Sequence, residues 1–346
     1  MSKQVLAQLP APLLAWYDTA RRHLPWRETV SPYRTWVSEI MLQQTRVSAV
    51  IPYFERFMET LPTVESLAAA EDAQLLALWQ GLGYYSRARN LQKAAKTIVN
   101  DFGGVFPDSY EQLLTLTGVG EYTAGAIASI AFHRPVPAVD GNVLRVVARL
   151  TDCSDNILNE AVRRRFREEL NEVIPHDRPG DFNQALMELG ALVCLPNTEP
   201  KCGECPCREF CLACKRGHQT TLPVREKNMG KRTEERTVFI LRRGDSEAVR
   251  QRPKEGLLAS LWEYPNVLGA LDERAAAKQL ADWGIVPHKW LKTAHKKHIF
   301  THIVWKMTVY TIEIMGEGYS EWSWRNEENA DDYPMPTAFS KLRREN

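Results

Sequence analysis

The stretch from Leu116 to Asn142 limits what this chain can fold into more than any other part of it. Upstream, Ser109-Tyr110-Glu111-Gln112 reads as a helix start, with Ser109 as N-cap and Gln112 reaching back as a capping box. That helix stops at Gly118, where a left-handed residue without a Cβ is wanted. Gly120 lets the chain turn again and start a helix of small residues, Thr123 to Ala131. The prediction is a helix, a two-glycine hairpin and a second helix whose free N–H groups offer a seat for a phosphate. Gly118-Val119-Gly120 alone would also serve an ordinary αα-hairpin. What sharpens the reading is Asp140, which follows a Pro135/Pro137 stretch and precedes Gly141 and another helix.

The remaining sequence sets the frame. A chain of 346 residues predicts two domains, and a 44% hydrophobic share can bury their cores. No apolar run approaches a membrane span, and an N-terminus with Lys3, Pro10, Pro12 and Trp16 is no signal peptide, so a cytoplasmic protein is expected. The net charge of +1 requires any basic surface to be local. Six of the seven cysteines fall between Cys194 and Cys214, which in a reducing compartment suggests metal ligation before disulfides.

Residues 1–30 contain an amphipathic helix (Leu13, Leu14, Trp16, Tyr17) and the turn Leu24-Pro25-Trp26-Arg27. Ser31 then caps a helix with Pro32 at its first position, carrying Trp36, Glu39, Leu42 and Gln43. The pattern stays helical to residue 190. Lys215 to Arg236 is polar and charged and reads as a linker. After it come a strand, Thr237 to Leu241, a short helix, Asp272 to Trp283, and a long alternating run, Ile299 to Ile314. The expected organisation is an all-α domain over 1–218, with its hairpin about 109–132, a linker over 219–236 and an α+β domain over 237–346.

Glu39 has Trp36 at i−3 and Leu42 at i+3, so it borders the apolar stripe of its helix. Partial desolvation there raises a carboxyl pKa and keeps the group protonated near neutral pH. By spacing alone Glu39 also suits a solvated face, and Asp140 a plain N-cap. Together they suit an acid and a stabilising carboxylate for glycosidic bond cleavage.

Several blocks carry a resemblance: Leu24-Pro25-Trp26-Arg27, Trp36-Val37-Ser38-Glu39-Ile40-Met41-Leu42-Gln43-Gln44-Thr45, and Gly81-Leu82-Gly83-Tyr84-Tyr85-Ser86-Arg87. Leu116-Thr117-Gly118-Val119-Gly120, Val139-Asp140-Gly141-Asn142-Val143 and Phe182-Asn183-Gln184-Ala185-Leu186-Met187-Glu188-Leu189-Gly190 continue it in order. The chain resembles the MutY family of helix-hairpin-helix adenine DNA glycosylases over nearly its whole length. The resemblance implies a monomer that acts on double-stranded DNA and removes adenine mispaired with 8-oxoguanine or guanine. It implies Glu39 as the acid that protonates adenine N7 and Asp140 as the carboxylate facing the oxocarbenium ion, with Tyr122 and Asn142 arranged around that intermediate. Arg27, Trp26 and Glu188 resemble an adenine pocket, Gln44 and Tyr84 residues that intrude at the mispair, and Gly118, Val119 and Gly120 the phosphate seat.

Cys194-x7-Cys202-x2-Cys205-x5-Cys211 implies, through the same resemblance, a 4Fe–4S cluster on four thiolates, although the family's first gap is six residues. Cys207 and Cys214 complicate the set, since Cys202, Cys205, Cys211 and Cys214 also make a plausible zinc spacing. The C-terminal part resembles a Nudix-like domain that reads 8-oxoguanine. Its Phe300-Thr301-His302 is similar to a Phe-Ser-His loop, and four lysines between His288 and His302 form a local basic patch. The glutamate-rich pyrophosphatase signature is absent; Arg274-Ala275-Ala276-Ala277-Lys278 stands in its place. Two other readings compete: an endonuclease III-like glycosylase/lyase and a non-catalytic DNA-binding module. The lyase needs a lysine at the second position after Gly118-Val119-Gly120, where this chain has Tyr122.

Overall fold

The structure, a computed structural model, describes residues 2–226, 232–300, 302–316 and 321–343. The chain divides into two compact units. One gathers residues 1–70 and 89–227, the other residues 71–88 and 228–346. Residues 71–88 therefore cluster with the C-terminal part, which the sequence order does not suggest.

Among its described residues the first unit contains helices and turns only. The Pro32–Leu42 helix starts as expected, with Ser31 Oγ accepting from Arg34 N at 3.2 Å and proline in the first turn. The helix before the hairpin is short, Tyr110–Leu114, and Ser109 caps it through Gln112 N at 3.2 Å. The expected return bond from the Gln112 side chain does not accompany this cap among the described residues. The second hairpin helix runs Glu121–Ile130. Asp140 caps Gly141–Leu150, and Pro179–Leu192 packs against that helix. Two glycines fix these close approaches. A Cβ on Gly125 would lie 2.4 Å from the Pro137 carbonyl oxygen, and one on Gly190 2.6 Å from Asn142 Cβ.

The second unit is built on a seven-stranded sheet of order β3-β2-β1-β6-β5, with β4 joined to β1 and β7 to β2. Its strands are β1 (Arg232–Arg243), β2 (Ser246–Gln251), β3 (Trp262–Glu263), β4 (Asn266–Leu268), β5 (Pro287–Ile299), β6 (Ile303–Ile314) and β7 (Ser323–Arg325). β1 and β6 run parallel in the centre; the other pairs are antiparallel. Alternate residues feed two cores. Val238, Ile240, Trp305, Met307 and Val309 pack on one face with Ala338 and Phe339 of the Thr337–Arg343 helix. Phe239, Leu241, Tyr310, Ile312 and Ile314 pack on the other with Ala276 and Leu280 of the Glu273–Asp282 helix.

Two expectations are refined here. β1 begins at Arg232, so the charged run before Thr237 already belongs to the sheet; residues 227–231 lie outside the described residues. The alternation from Ile299 to Ile314 is not one strand: Ile299 closes β5 and Ile303 opens β6, the two arms of an antiparallel hairpin that starts at Pro287. Most of the basic patch is β5, an edge strand whose exposed lysines discourage pairing with another sheet.

The expected iron–sulfur loop is not what the structure contains. Among the described residues no group of three or more His, Cys, Asp or Glu is placed to hold a metal ion. Neither the Cys194, Cys202, Cys205, Cys211 set nor the Cys202, Cys205, Cys211, Cys214 set is therefore a metal centre here. The thiols are engaged with the protein instead. Cys194 Sγ accepts from Arg149 Nη1 at 3.2 Å, Cys211 donates to the Arg149 carbonyl at 3.5 Å, and Cys207 is buried beside Cys205. Burial pushes the Cys194 thiol up, Cys202 up to about 12 and Cys211 to about 11, which favours the protonated form of these three, whereas a hydrogen bond from Cys207 brings Cys205 down to about 7. The cysteines border a small apolar cavity against Val146, Leu150 and Leu189, and this part of the fold is a thiol-rich packing loop.

Candidate active site

A cavity of about 960 Å³ opens in the first unit. Glu39, Tyr122, Asp140, Asn142, Arg27, Trp26, Glu188 and Gln44 all line it, although the sequence spreads them from residue 26 to residue 188.

Glu39 sits near the C-terminal end of the Pro32–Leu42 helix and is 6% exposed. Burial raises its pKa from the usual 4.5 to about 7, and the nearby Asp140 charge adds to the rise. A hydrogen bond from the Tyr122 hydroxyl to Oε2 pulls the other way, as does Arg27. Tyr122, on the first turn of the second hairpin helix, is itself held neutral by burial well above the ordinary phenol range. Its hydroxyl also lies 3.5 Å from Met187 Sδ.

Asp140 is held differently. Oδ1 accepts from Asn142 N at 2.9 Å and Val143 N at 2.8 Å, and Oδ2 from Asn142 Nδ2 at 2.8 Å. Burial raises its pKa, while these three donors at a helix N-terminus favour the charged form. Asn142 is fixed in turn. Its Oδ1 accepts from Arg145 Nη2 at 2.9 Å, and Arg145 is tied to the Gly190 and Cys194 carbonyls at 2.7 and 2.8 Å. Two carboxyls thus share one cavity in unequal settings, one with a single neutral donor and one with three.

Glu188, which lines the same cavity, is fully buried and paired with two arginines. Arg22 reaches Oε2, with Nη2 at 2.7 Å and Nε at 2.8 Å, and Arg27 Nη1 reaches Oε1. Arg27 also lies over the Tyr17 ring, and Trp26 meets Phe54 edge-on at 5.4 Å. Such a wall joins flat apolar surface to fixed donors and acceptors, which suits a planar heterocycle. Gln44 is exposed at the cavity rim in a left-handed conformation, φ 58°.

The hairpin glycines behave unequally. Gly118 has φ +80°, and a Cβ there would meet Asn90 Cβ at 2.7 Å. Gly120 has φ −95°, which any residue adopts; no protein atom lies within 4 Å of where its Cβ would be. Its missing side chain leaves open space at the helix start, so the turn did not require glycine there.

The remaining expected residues lie in the second unit. Tyr84 is 46% exposed, with φ 49°. Phe300 packs edge-on to Trp305 and His298, at 4.8 and 4.6 Å. His302 is exposed, and its carbonyl accepts from Arg232 N at 3.0 Å. Thr301 lies outside the described residues.

A model of the HhH-GPD superfamily of base excision DNA repair proteins matches residues 37–172, and a NUDIX domain model matches residues 237–345. The adenine DNA glycosylase of Rattus norvegicus is 36% identical over 363 residues, covering 88% of this chain and 70% of its own length. The chain belongs to the adenine DNA glycosylase family. Among solved structures, a thermostable thymine-DNA glycosylase matches this member of the family with a TM-score of 0.55 and 28% identity, covering 62% of this chain and 97% of that one. Endonuclease III in a non-covalent DNA complex matches with a TM-score of 0.54 and 24% identity over 64% of this chain and all of that one, a likeness of fold alone.

In this glycosylase, sequence reasoning missed three residues at or behind the site. Arg22 shares Glu188 with Arg27, and only its place in the Arg21-Arg22 pair hinted at it. Arg145 stands three residues after Asn142, the helical spacing that puts the two side chains together. Gly190 was visible as a residue, but its contact with Asn142 across two helices left no trace in the sequence.

Proposed function

We propose that this adenine DNA glycosylase of base excision repair is monofunctional and hydrolyses the N-glycosidic bond of adenine mispaired with 8-oxoguanine or guanine in duplex DNA. The observation that carries the reading is Glu39, its pKa raised to about 7, sharing a cavity with an Asp140 that three donors hold toward its charged form.

Adenine inside a duplex is out of reach, so it is extruded into the cavity at a cost of a few kcal/mol. The Glu188–Arg22–Arg27 wall and Trp26 receive it. Glu39 is the acid: at neutral pH a large fraction of it carries a proton, which it gives to adenine N7 and so improves the leaving group. The glycosidic bond then breaks with positive charge on the sugar. Asp140 faces that charge from a largely dry site, where a fixed carboxylate counts for more than in water. Asn142 keeps Asp140 oriented, and Tyr122 ties Glu39 to the hairpin helix. Water completes the hydrolysis and leaves an abasic site. An imine with the sugar needs an amine nucleophile where this chain has a phenol, Tyr122.

The helix-hairpin-helix grips DNA through backbone phosphates at Gly118, Val119 and Gly120; the open space at Gly120 supports this role. Gln44 and Tyr84 intrude at the mispair, and Phe300, Thr301 and His302 read the base opposite adenine. The test is incubation with a duplex carrying adenine opposite 8-oxoguanine, with and without alkali. Breaks only after alkali support the proposal; breaks before it support the lyase reading.

A further inference from the structure

Tyr84 is held in an unusual state. Its φ of 49° is rare for a bulky residue, and the residue is 46% exposed, so burial does not fix it. The residues that build its support are a few positions away. The Arg87 guanidinium, in a residue only 9% exposed, lies 5.4 Å from the Tyr84 ring centroid and 5.5 Å from that of Trp79. Nη2 donates to the Leu82 and Gly83 carbonyls, each at 3.2 Å. Trp79 Nε1 donates to the same Gly83 carbonyl at 3.1 Å, and Arg87 N donates to the Tyr84 carbonyl at 2.9 Å. The turn from Gly81 to Tyr84 has three left-handed residues, with φ 102° at Gly81, 72° at Gly83 and 49° at Tyr84. One buried cation thus clamps that turn by two carbonyls and sits against the ring it presents.

We infer that Arg87 is a positioning residue that holds the Tyr84 ring out as a stacking plate for an unstacked step of duplex DNA, an inference that rests on the reading of Tyr84 given above. An exposed aromatic face is a sequence-tolerant platform for a nucleobase, and a guanidinium beside the ring adds a cation–π contribution. The planar fork matters as well as the charge. Lysine would supply a point charge but could not hold two carbonyls through a planar fork while sitting beside both rings.

The test is a double-mutant cycle in the full-length protein, read by equilibrium binding to a duplex with adenine opposite 8-oxoguanine. A second readout is the fluorescence of 2-aminopurine placed beside the mispair, which reports unstacking. Tyr84→Ala is expected to weaken binding by about tenfold or more, the scale of one lost base–aromatic stack. Arg87→Met should produce most of that loss and most of the fall in fluorescence, and Tyr84→Ala/Arg87→Met should bind no worse than Tyr84→Ala. Arg87→Lys should fall between wild type and Arg87→Met, and it carries the cycle alone if the methionine variant does not fold. Additive losses in the double variant overturn the proposal, because Arg87 would then act other than through Tyr84. Wild-type binding and fluorescence in Arg87→Lys also overturn it. Wild-type binding by Tyr84→Ala removes the reading of Tyr84 itself.

Discussion

Tyr122→Phe deletes one hydroxyl and leaves the ring in place, which makes it a clean probe of how Glu39 is tuned. The phenol donates to Glu39 Oε2 and stabilises the ionised carboxylate, so it holds back a rise, caused by burial and Asp140, that still leaves the pKa at about 7. A hydrogen bond to a charged group contributes about 1.5–3 kcal/mol. At about 1.4 kcal/mol per pKa unit, its loss should raise the Glu39 pKa by roughly one to two units. Glu39 must be protonated to act, so wild-type excision should fall as pH rises through about 7. In Tyr122→Phe the fall should begin about one to two pH units higher. The assay is single-turnover adenine release between pH 5.5 and 9.5, with enzyme saturating at each pH. An alkaline limb that stays in place or moves down refutes the reasoning, because the phenol would not be stabilising the carboxylate.

Further outcomes follow from the same geometry. Asp140→Asn removes the charge that raises Glu39, so besides a loss of at least about a hundredfold in release, its residual activity should fall off at lower pH; excision within tenfold of wild type contradicts the assignment. Glu39→Gln should change stability with a definite sign. Its folded pKa of about 7 lies above the usual 4.5, so the wild type is most favoured below 4.5 and loses stability as pH rises through 7. The variant's advantage in urea denaturation should therefore grow by about 3 kcal/mol between pH 4.5 and 8.5, and a constant difference excludes the shift. Gly190→Ala puts a Cβ 2.6 Å from Asn142 Cβ, and release should drop by about tenfold or more while thermal melting shifts by only a few degrees; unchanged release would mean that Asn142 need not be fixed. Phe300→Ala together with His302→Ala should slow excision opposite 8-oxoguanine far more than opposite guanine, and equal losses on the two duplexes would remove the role given to Phe300, Thr301 and His302.

Much of the site was legible because helix rules are local. Trp36, Glu39 and Leu42 share a face at helical spacing, and the structure buries Trp36 and Glu39 and leaves Leu42 half-buried. Ser31, Ser109 and Asp140 were readable as caps and serve as caps, and Asp272, read as the first residue of its helix, caps that helix instead. What escaped depends on distant approach. Arg22 meets Glu188 across 166 positions, and Gly190 meets Asn142 across helices, so no window of sequence contains either relation. Residues 71–88 joined the second unit for the same reason. The hairpin between Ile299 and Ile303 was hidden because its first arm, β5, carries lysines and histidines where apolar residues would alternate, and Phe300-Thr301-His302 carries no glycine or proline to mark a turn. The cysteines misled in another way. Their spacing suits a cluster, but spacing is blind to the partners that the folded thiols take, which here are Arg149 and one another.

The central claim is that Glu39 gives a proton to the leaving adenine, and Glu39→Gln tests it most directly, because the amide keeps the shape and loses the acid. On a duplex with adenine opposite 8-oxoguanine, the variant should bind within about threefold of wild type while single-turnover release falls by about a hundredfold or more, the scale of a lost general acid. Release within tenfold of wild type, at equal saturation, would contradict the account.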